Sequence, residues 1–215
     1  MTAAAQKGVL IAVEGIDGTG KSTQVGLLAE RLRRQGVAVI ATREPTDGRW
    51  GREIRRLFHD RAAFGPEEEL RLFIEDRREH VAQVIAPALS AGQVVITDRY
   101  YYSTAAYQGA LGQRDPAAIL AINEAFAPRP DLVLLLTADP AVGVGRVRDL
   151  RRERLNDFEQ EESLARVAAI FAGFTGPELV RIDAAGDTEA VHQALWPPVA
   201  SLLRAKGILV GGEGG

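Results

Sequence analysis

Residues 15–22 read Gly15-Ile16-Asp17-Gly18-Thr19-Gly20-Lys21-Ser22, the phosphate-loop spacing G-x-x-x-x-G-K-[ST], and they sit in the context that this pattern requires. The apolar run Val9 to Val13 precedes them at the length of a buried strand. Lys21 to Gln35 follows, with Val25, Leu28, Ala29 and Leu32 at helical spacing. Gly15, Gly18 and Gly20 let the backbone turn inward, so that N–H groups along the stretch ending at Thr23 ring an anion at the helix N-terminus. Lys21 is then placed to reach the β- and γ-phosphates, and the Ser22 hydroxyl to bind Mg²⁺. A glycine-rich turn with no ligand is the alternative, and the ordered strand, loop and helix weigh against it. The segment predicts a nucleoside triphosphate site.

At 215 residues the chain is long enough for one well-buried α/β core and short for two. A net charge of −3 argues against a nucleic-acid polymer as the main partner, while permitting a local basic pocket. The sequence has no cysteine, which excludes disulfides, thiolate catalysis and cysteine–metal sites. Its apolar runs fall short of the ~18 residues of a membrane span, and residues 1–7 lack the charged-then-apolar pattern of a signal peptide. The expectation is a cytoplasmic protein without membrane attachment.

Short apolar runs alternate with helical segments throughout. Strands are predicted at 9–14, 37–42, 94–97, 132–137 and 179–182. Helices are predicted at 21–35, 50–58, 66–90, 102–109, 115–126, 140–150, 160–174 and 187–206. This alternation indicates an α/β fold, a doubly wound sheet of five parallel strands flanked by helices, as in P-loop NTPases. A single domain over residues 1–210 is expected, with a disordered glycine-rich tail at 211–215.

Three strands end in charge. The first runs into Glu14 and Asp17, the second into Thr42-Arg43-Glu44-Pro45, the third into Thr97-Asp98-Arg99-Tyr100. In a parallel sheet these ends share one edge, where open α/β sheets bind ligands. One Asp-Arg pair can be a structural salt bridge, but charges converging from several strands read as a site, because unpaired buried charge is costly. In the helix at 66–90, Arg77 falls on the apolar stripe beside Phe73 and Ile74. It either snorkels to the surface or lines a ligand cavity with Phe73.

Taken together, GIDGTGKST, TREP, LRLFIEDRREHVAQVIAPAL and VVITDRYYYSTAAYQG resemble the thymidylate kinases of the nucleoside monophosphate kinase family, over Val9 to about Phe174. The resemblance implies transfer of the ATP γ-phosphoryl group to dTMP, a Mg²⁺ cofactor held by Ser22, Asp17 and Asp98, and a homodimer with the 66–90 helix as interface. Lys21, Arg99 and Asp17 would be the catalytic residues. Phe73 would stack on the thymine and Arg77 would bond its carbonyl edge. Thr104 and Gln108 would contact the base and nearby sugar, with Ser103, Glu44 and Asp98 in the same substrate site. Tyr107 would crowd the ribose 2′ position, and Arg99 and Arg43 would hold the acceptor phosphate.

Arg146, Arg148, Arg151, Arg152 and Arg154 crowd into one segment. They form either a solvated basic helix face or a mobile lid, at about 145–160, that closes over ATP. The phosphate loop has no basic residue between Gly15 and Gly20, which in this family goes with a lid arginine; Arg146 and Arg151 are the candidates. The chain departs from the family pattern at Thr46-Asp47-Gly48, where a pair of glycines is common, and at Asn156-Asp157, where Asp157 replaces an arginine. A kinase for another pyrimidine nucleotide (dUMP, UMP or CMP) or for a deoxynucleoside is the nearest alternative. A GTP-binding switch protein is a more distant one, since no Asn-Lys-x-Asp stretch occurs.

Overall fold

The computed structural model describes residues 8–59, 65–110, 114–151 and 157–209, without the side chains of 59, 147–151 and 157–160. Expectations for residues 1–7, the 211–215 tail, Arg152, Arg154 and Asn156 therefore lie outside the described residues, as do those for the side chains of Arg148, Arg151 and 157–159. β1 (Val9–Gly15) is buried along its whole length because it lies in the middle of the sheet. Five parallel strands run in the order β2-β3-β1-β4-β5, with β2 (Val39–Arg43), β3 (Val94–Asp98), β4 (Leu132–Thr137) and β5 (Leu179–Asp183).

Alternation along β1 splits the core in two. Val9, Ile11 and Val13 face α1 (Lys21–Arg34) and α9 (Thr188–Ala205), meeting Leu28, Leu32, Val191 and Leu195. Leu10 and Ala12 face the opposite layer, with Ile85, Tyr101, Ala105, Ile119 and Phe171. That layer holds α3 (Pro66–His80), α4 (Ala86–Ser90), α5 (Tyr101–Ala110), α6 (Pro116–Glu124) and α8 (Asp157–Gly173). A third cluster, Ile54, Leu57 and Leu72 with Trp50 and Phe73, joins α2 (Arg49–His59) to α3. α7 (Pro140–Arg151) follows β4.

Most boundaries shift by a few residues from the sequence reading, and two of the differences have a backbone reason. β2 starts at Val39 rather than 37 because residues 36 and 37 finish α1. Gly36 adopts φ 78°, its N–H bonds Arg33 O at 2.9 Å, and the Val37 N–H bonds Leu32 O at 3.0 Å, the six-to-one and five-to-two pairing of a left-handed helix cap. The helix expected over 66–90 is interrupted by one π turn, Val81–Ile85, between α3 and α4. Pro87 has no N–H to give the carbonyl four residues back, so the ladder widens just before it.

The register sets the site. Val13 pairs with Asp98, and Asp98 with Arg43. Glu14, Arg99 and Glu44 therefore emerge side by side at the carboxyl edge of the sheet.

Candidate active site

The loop after β1 is held largely by its own atoms. The Lys21 ammonium donates to Ile16 O at 2.7 Å, and the Thr19 hydroxyl to the same carbonyl at 2.8 Å. Lys21 is buried, and desolvation pushes its pKa down to about 8. Gly20 has φ 84°, with nothing within 4 Å of an added Cβ, and lines the cleft along the loop. Gly18, at φ 81°, is closed: a Cβ there would meet Gly143 O at 2.3 Å. On α7, Arg146 reaches over this contact to the carbonyls of Gly18 (3.5 Å) and Ala184 (2.9 Å).

Beyond β3, Arg99 holds a left-handed backbone at φ 70°. For a residue with a side chain this conformation costs on the order of 1–3 kcal/mol. Its N–H bonds Val13 O at 3.0 Å, and its carbonyl accepts from the Thr97 hydroxyl at 2.8 Å. The turn carries the guanidinium back over β1, where it meets Asp17 Oδ1 at 2.7 Å and Ser103 Oγ at 3.0 Å. Burial works against its charge, but Tyr107 and Asp17 outweigh burial and the pKa rises. The loop carboxylate and the arginine after β3 thus form one partly buried ion pair.

Glu14 lies beneath that pair. Its carboxylate accepts from the N–H groups of Tyr100 (2.9 Å) and Ser103 (3.2 Å) and from the Ser103 hydroxyl. It anchors the first turn of α5, which carries Ser103, Thr104, Tyr107 and Gln108. Full burial pushes its pKa up to about 7 despite those donors.

Arg77 does not snorkel; it is 1% exposed. Its Nε donates to Glu44 Oε2 at 2.9 Å, its Nη2 to Glu44 and to Thr104 Oγ1 (2.9 Å), and its Nη1 to Asn123 Oδ1. Glu44 Oε1 bonds His80 Nδ1 at 2.9 Å, and His80 Nε2 meets Thr42 Oγ1 at 2.8 Å. Burial raises the Glu44 pKa, but Arg77 and His80 outweigh it and the net shift is downward. Glu44 therefore sits behind Arg77 as its counter-ion. Four of the five guanidinium hydrogens are committed among the described residues, leaving one on Nη1.

The other expected substrate residues are distributed around this network. Gln108 Nε2 bonds Glu69 Oε1 at 3.2 Å, while Gln108 Oε1 is buried without a partner. Phe73 is half-buried and leans on Phe58 of α2, ring centroids 6.4 Å apart. Arg43 is exposed and grips both carboxylate oxygens of Asp47, at 2.8 and 3.0 Å. Asp47 also takes Arg55 at 3.2 Å, and Thr46 is fixed by Asp76 through its N–H and its hydroxyl. Residues 46 and 47, which depart from the family pattern, thus have their own set of partners.

Two clefts open at this edge and share Ser22 and Asp98. One, of 650 Å³, runs along the phosphate loop to Arg146 and Thr188; the other, of 580 Å³, passes Arg43, Thr46 and His80. Ser22 Oγ donates to Asp98 Oδ2, and Asp98 Oδ1 is buried with no partner. Buried acceptors in native proteins are nearly always satisfied. A hydroxyl and an orphaned carboxylate oxygen beside a phosphate loop fit Mg²⁺, which takes one or two carboxylates plus phosphate and water oxygens. Among the described residues no group of three or more His, Cys, Asp or Glu could hold a metal by itself.

Sequence reading missed Glu14's anchoring role, His80, Asn123 and Gly143. Each is a lone residue in a helical or strand run, and each acts on a partner many residues away. For Glu14 a signal did exist: a carboxylate closing an otherwise apolar central strand.

A family model of thymidylate kinase matches residues 13–195. The thymidylate kinase of Desulfotalea psychrophila is 48% identical over 197 residues, covering 92% of this chain and 96% of its own. That of Xanthomonas campestris pv. campestris is 46% identical over 204 residues, covering 92% and 87%. The crystal structure of thymidylate kinase from Ehrlichia chaffeensis superposes with a TM-score of 0.69 at 28% identity, covering 88% of this chain and 97% of that one. With the phosphate loop, the Arg99 turn and the Arg77 network already in place, these matches show that the chain belongs to the thymidylate kinase family.

Proposed function

We propose that the chain transfers the γ-phosphoryl group of ATP to the 5′-phosphate of dTMP, giving dTDP and ADP. The Asp17–Arg99 ion pair carries the reading, because it joins the triphosphate loop to the residue that closes β3 across one hydrogen bond. An acceptor phosphate oxygen attacks Pγ as the bond to the β-phosphate oxygen breaks. No side chain serves as nucleophile; the protein aligns two phosphates and screens their charge. Lys21 follows negative charge onto the departing ADP. Arg99 holds the acceptor phosphate with the planar fork that suits it, and Arg43 assists at the cleft mouth once Asp47 gives way. Mg²⁺, held by Ser22 and Asp98 with Asp17 nearby, would neutralise the β- and γ-oxygens.

Base choice follows from what the buried groups lack. Arg77 has one N–H left to donate, and Gln108 Oε1 has nothing to accept. A carbonyl facing Arg77 next to a ring N–H facing Gln108, as in thymine or uracil, answers both needs; cytosine carries the two roles in the opposite order, so its amine would meet the Arg77 donor and its bare ring nitrogen the Gln108 acceptor. Thr104 orients Arg77, Phe73 supplies a stacking face, and the Tyr107 ring limits space at the sugar. A homodimer through the helical segment at 66–90 and a cytoplasmic setting belong to the same proposal. Among the described residues no helix is long and apolar enough to cross a membrane.

A coupled assay with Mg-ATP across dTMP, dUMP, dCMP, UMP and dGMP tests the reading. dTMP should give the highest kcat/KM, with dCMP far below dUMP. Equal use of dCMP would remove the base assignment, and ATP hydrolysis indifferent to any acceptor would point to a switch protein instead.

A further inference from the structure

The Tyr107 hydroxyl makes all three hydrogen bonds a phenol can make. It accepts the Asp17 backbone N–H at 3.0 Å, donates to Asp17 Oδ2 at 3.1 Å, and accepts from Arg99 Nη2 at 3.3 Å. The Arg99 guanidinium also lies over the Tyr107 ring, 4.8 Å from its centroid. Asp17 is thus gripped at both its amide and its carboxylate by one oxygen on another element. This matters because the Asp17 side chain is 47% exposed, and an exposed carboxylate left alone samples several rotamers. Desolvation keeps the phenol protonated, its pKa pushed up to about 12, so the donor role persists at neutral pH.

We propose that the Tyr107 hydroxyl is a positioning group for transfer, fixing Asp17 and Arg99 in mutual register, separately from the ring that shapes the sugar site. The proposal rests on the kinase reading above. The hydroxyl acts through Asp17 and Arg99 and needs no contact with substrate. Losing it removes the hold of α5 on the Asp17 amide and on Oδ2, so the Arg99–Asp17 pair, still joined at Oδ1, loses its register against the acceptor side. The phosphate-binding half of the loop, held by Ile16 O and α1, has no part in these bonds.

Tyr107→Phe removes one oxygen and keeps the ring. Its kcat with dTMP should fall at least about tenfold, the kind of loss a small misplacement causes. The KM for ATP should stay within about twofold, and the dissociation constant for dTMP alone, by calorimetry without ATP or Mg²⁺, should rise a few-fold. The ratio of dTMP to ribothymidine monophosphate use should not move, whereas Tyr107→Ala should shift it. In an Asp17→Asn background the Phe substitution should add less than about twofold, since both changes break one unit. The proposal is overturned by a Tyr107→Phe kcat within about twofold of wild type, by full additivity with Asp17→Asn, or by a kcat loss matched by equal losses in ATP affinity and melting temperature. If instead the wild-type protein fails to phosphorylate dTMP, the kinase reading itself has failed, and the panel above reports that first.

Discussion

The donor and acceptor sides of the sheet edge are built in opposite ways. On the donor side, a phosphate loop lines an open cleft, and its cations rest on backbone carbonyls, Lys21 on Ile16 O and Arg146 on Gly18 O and Ala184 O, instead of on buried carboxylates. On the acceptor side, Glu44, Arg77, His80, Thr104 and Asn123 come from four elements or their ends and are closed into a buried network before any substrate arrives. A triphosphate brings its own charge and metal, so its site can wait empty; a neutral base brings only a few polar atoms. The protein must therefore fix its recognition groups beforehand and satisfy their charge internally. Removing a donor-side group should then damage chemistry and spare the fold, while removing an acceptor-side group should damage both.

The largest expected effect is on the acceptor side. Arg77→Met leaves the buried Glu44 carboxylate without its guanidinium, and such a break costs about 3–5 kcal/mol. Denaturant unfolding should show it, and wild-type stability would break the comparison. Lys21→Ala should lower kcat by about 10²–10³, like the loss of a key oxyanion donor, with unfolding almost unchanged. The folded chain gains little from that charge, as its depressed pKa of about 8 indicates. A large fall in stability would place Lys21 in the scaffold.

Glu14 lies at the seam, and its pH dependence sharpens the contrast. Its carboxyl titrates near 7 in the fold against 4.5 in an unreactive setting. The native state therefore keeps a proton that the unfolded chain has released. This stabilisation is complete below about pH 4.5 and disappears as pH rises toward 7, about 3 kcal/mol in all. Glu14→Gln should flatten that part of the stability–pH curve; an unchanged slope would assign it to another group. Arg99→Lys should cost about tenfold in kcat/KM for dTMP, because a point charge cannot reproduce a fork that meets Asp17 and Ser103 at once. Full activity would leave Arg99 a salt-bridge partner. The smallest effect is protonic. Nucleotide binding at pH 8–9 should take up a fraction of a proton as the phosphates raise the Lys21 pKa, and calorimetry in buffers of different ionisation enthalpy measures it.

This asymmetry also explains what the sequence could tell. The donor loop was legible because its glycines, Lys21 and Ser22 are local and their spacing is itself the geometry. β1, β3 and β4 were legible because buried parallel strands are continuous apolar runs, and the edge strands β2 and β5, only partly buried, from the alternation with helices around them. Arg77 stood out as a charge on an apolar stripe, but whether it reached solvent depended on Glu44, Thr104 and Asn123, which no local pattern connects to it. Asn123 gives no warning of its own on α6, and the π turn at Val81–Ile85 reads as ordinary helix apart from the proline that follows.

The contact between Gly18 and Gly143 has a consequence for how this protein tolerates change. A Cβ on Gly143 would press on Asp17 O at 2.6 Å, so backbone rests on backbone with no side chain between them to yield. A mutational scan should therefore find Gly143 as intolerant as the loop glycines themselves, although it lies far along the chain in a helix with no nucleotide motif. Variation at that position would have to be matched by a shift of the whole of α7. The tempo at which this helix and its arginines can drift in evolution is thereby tied to that of the loop.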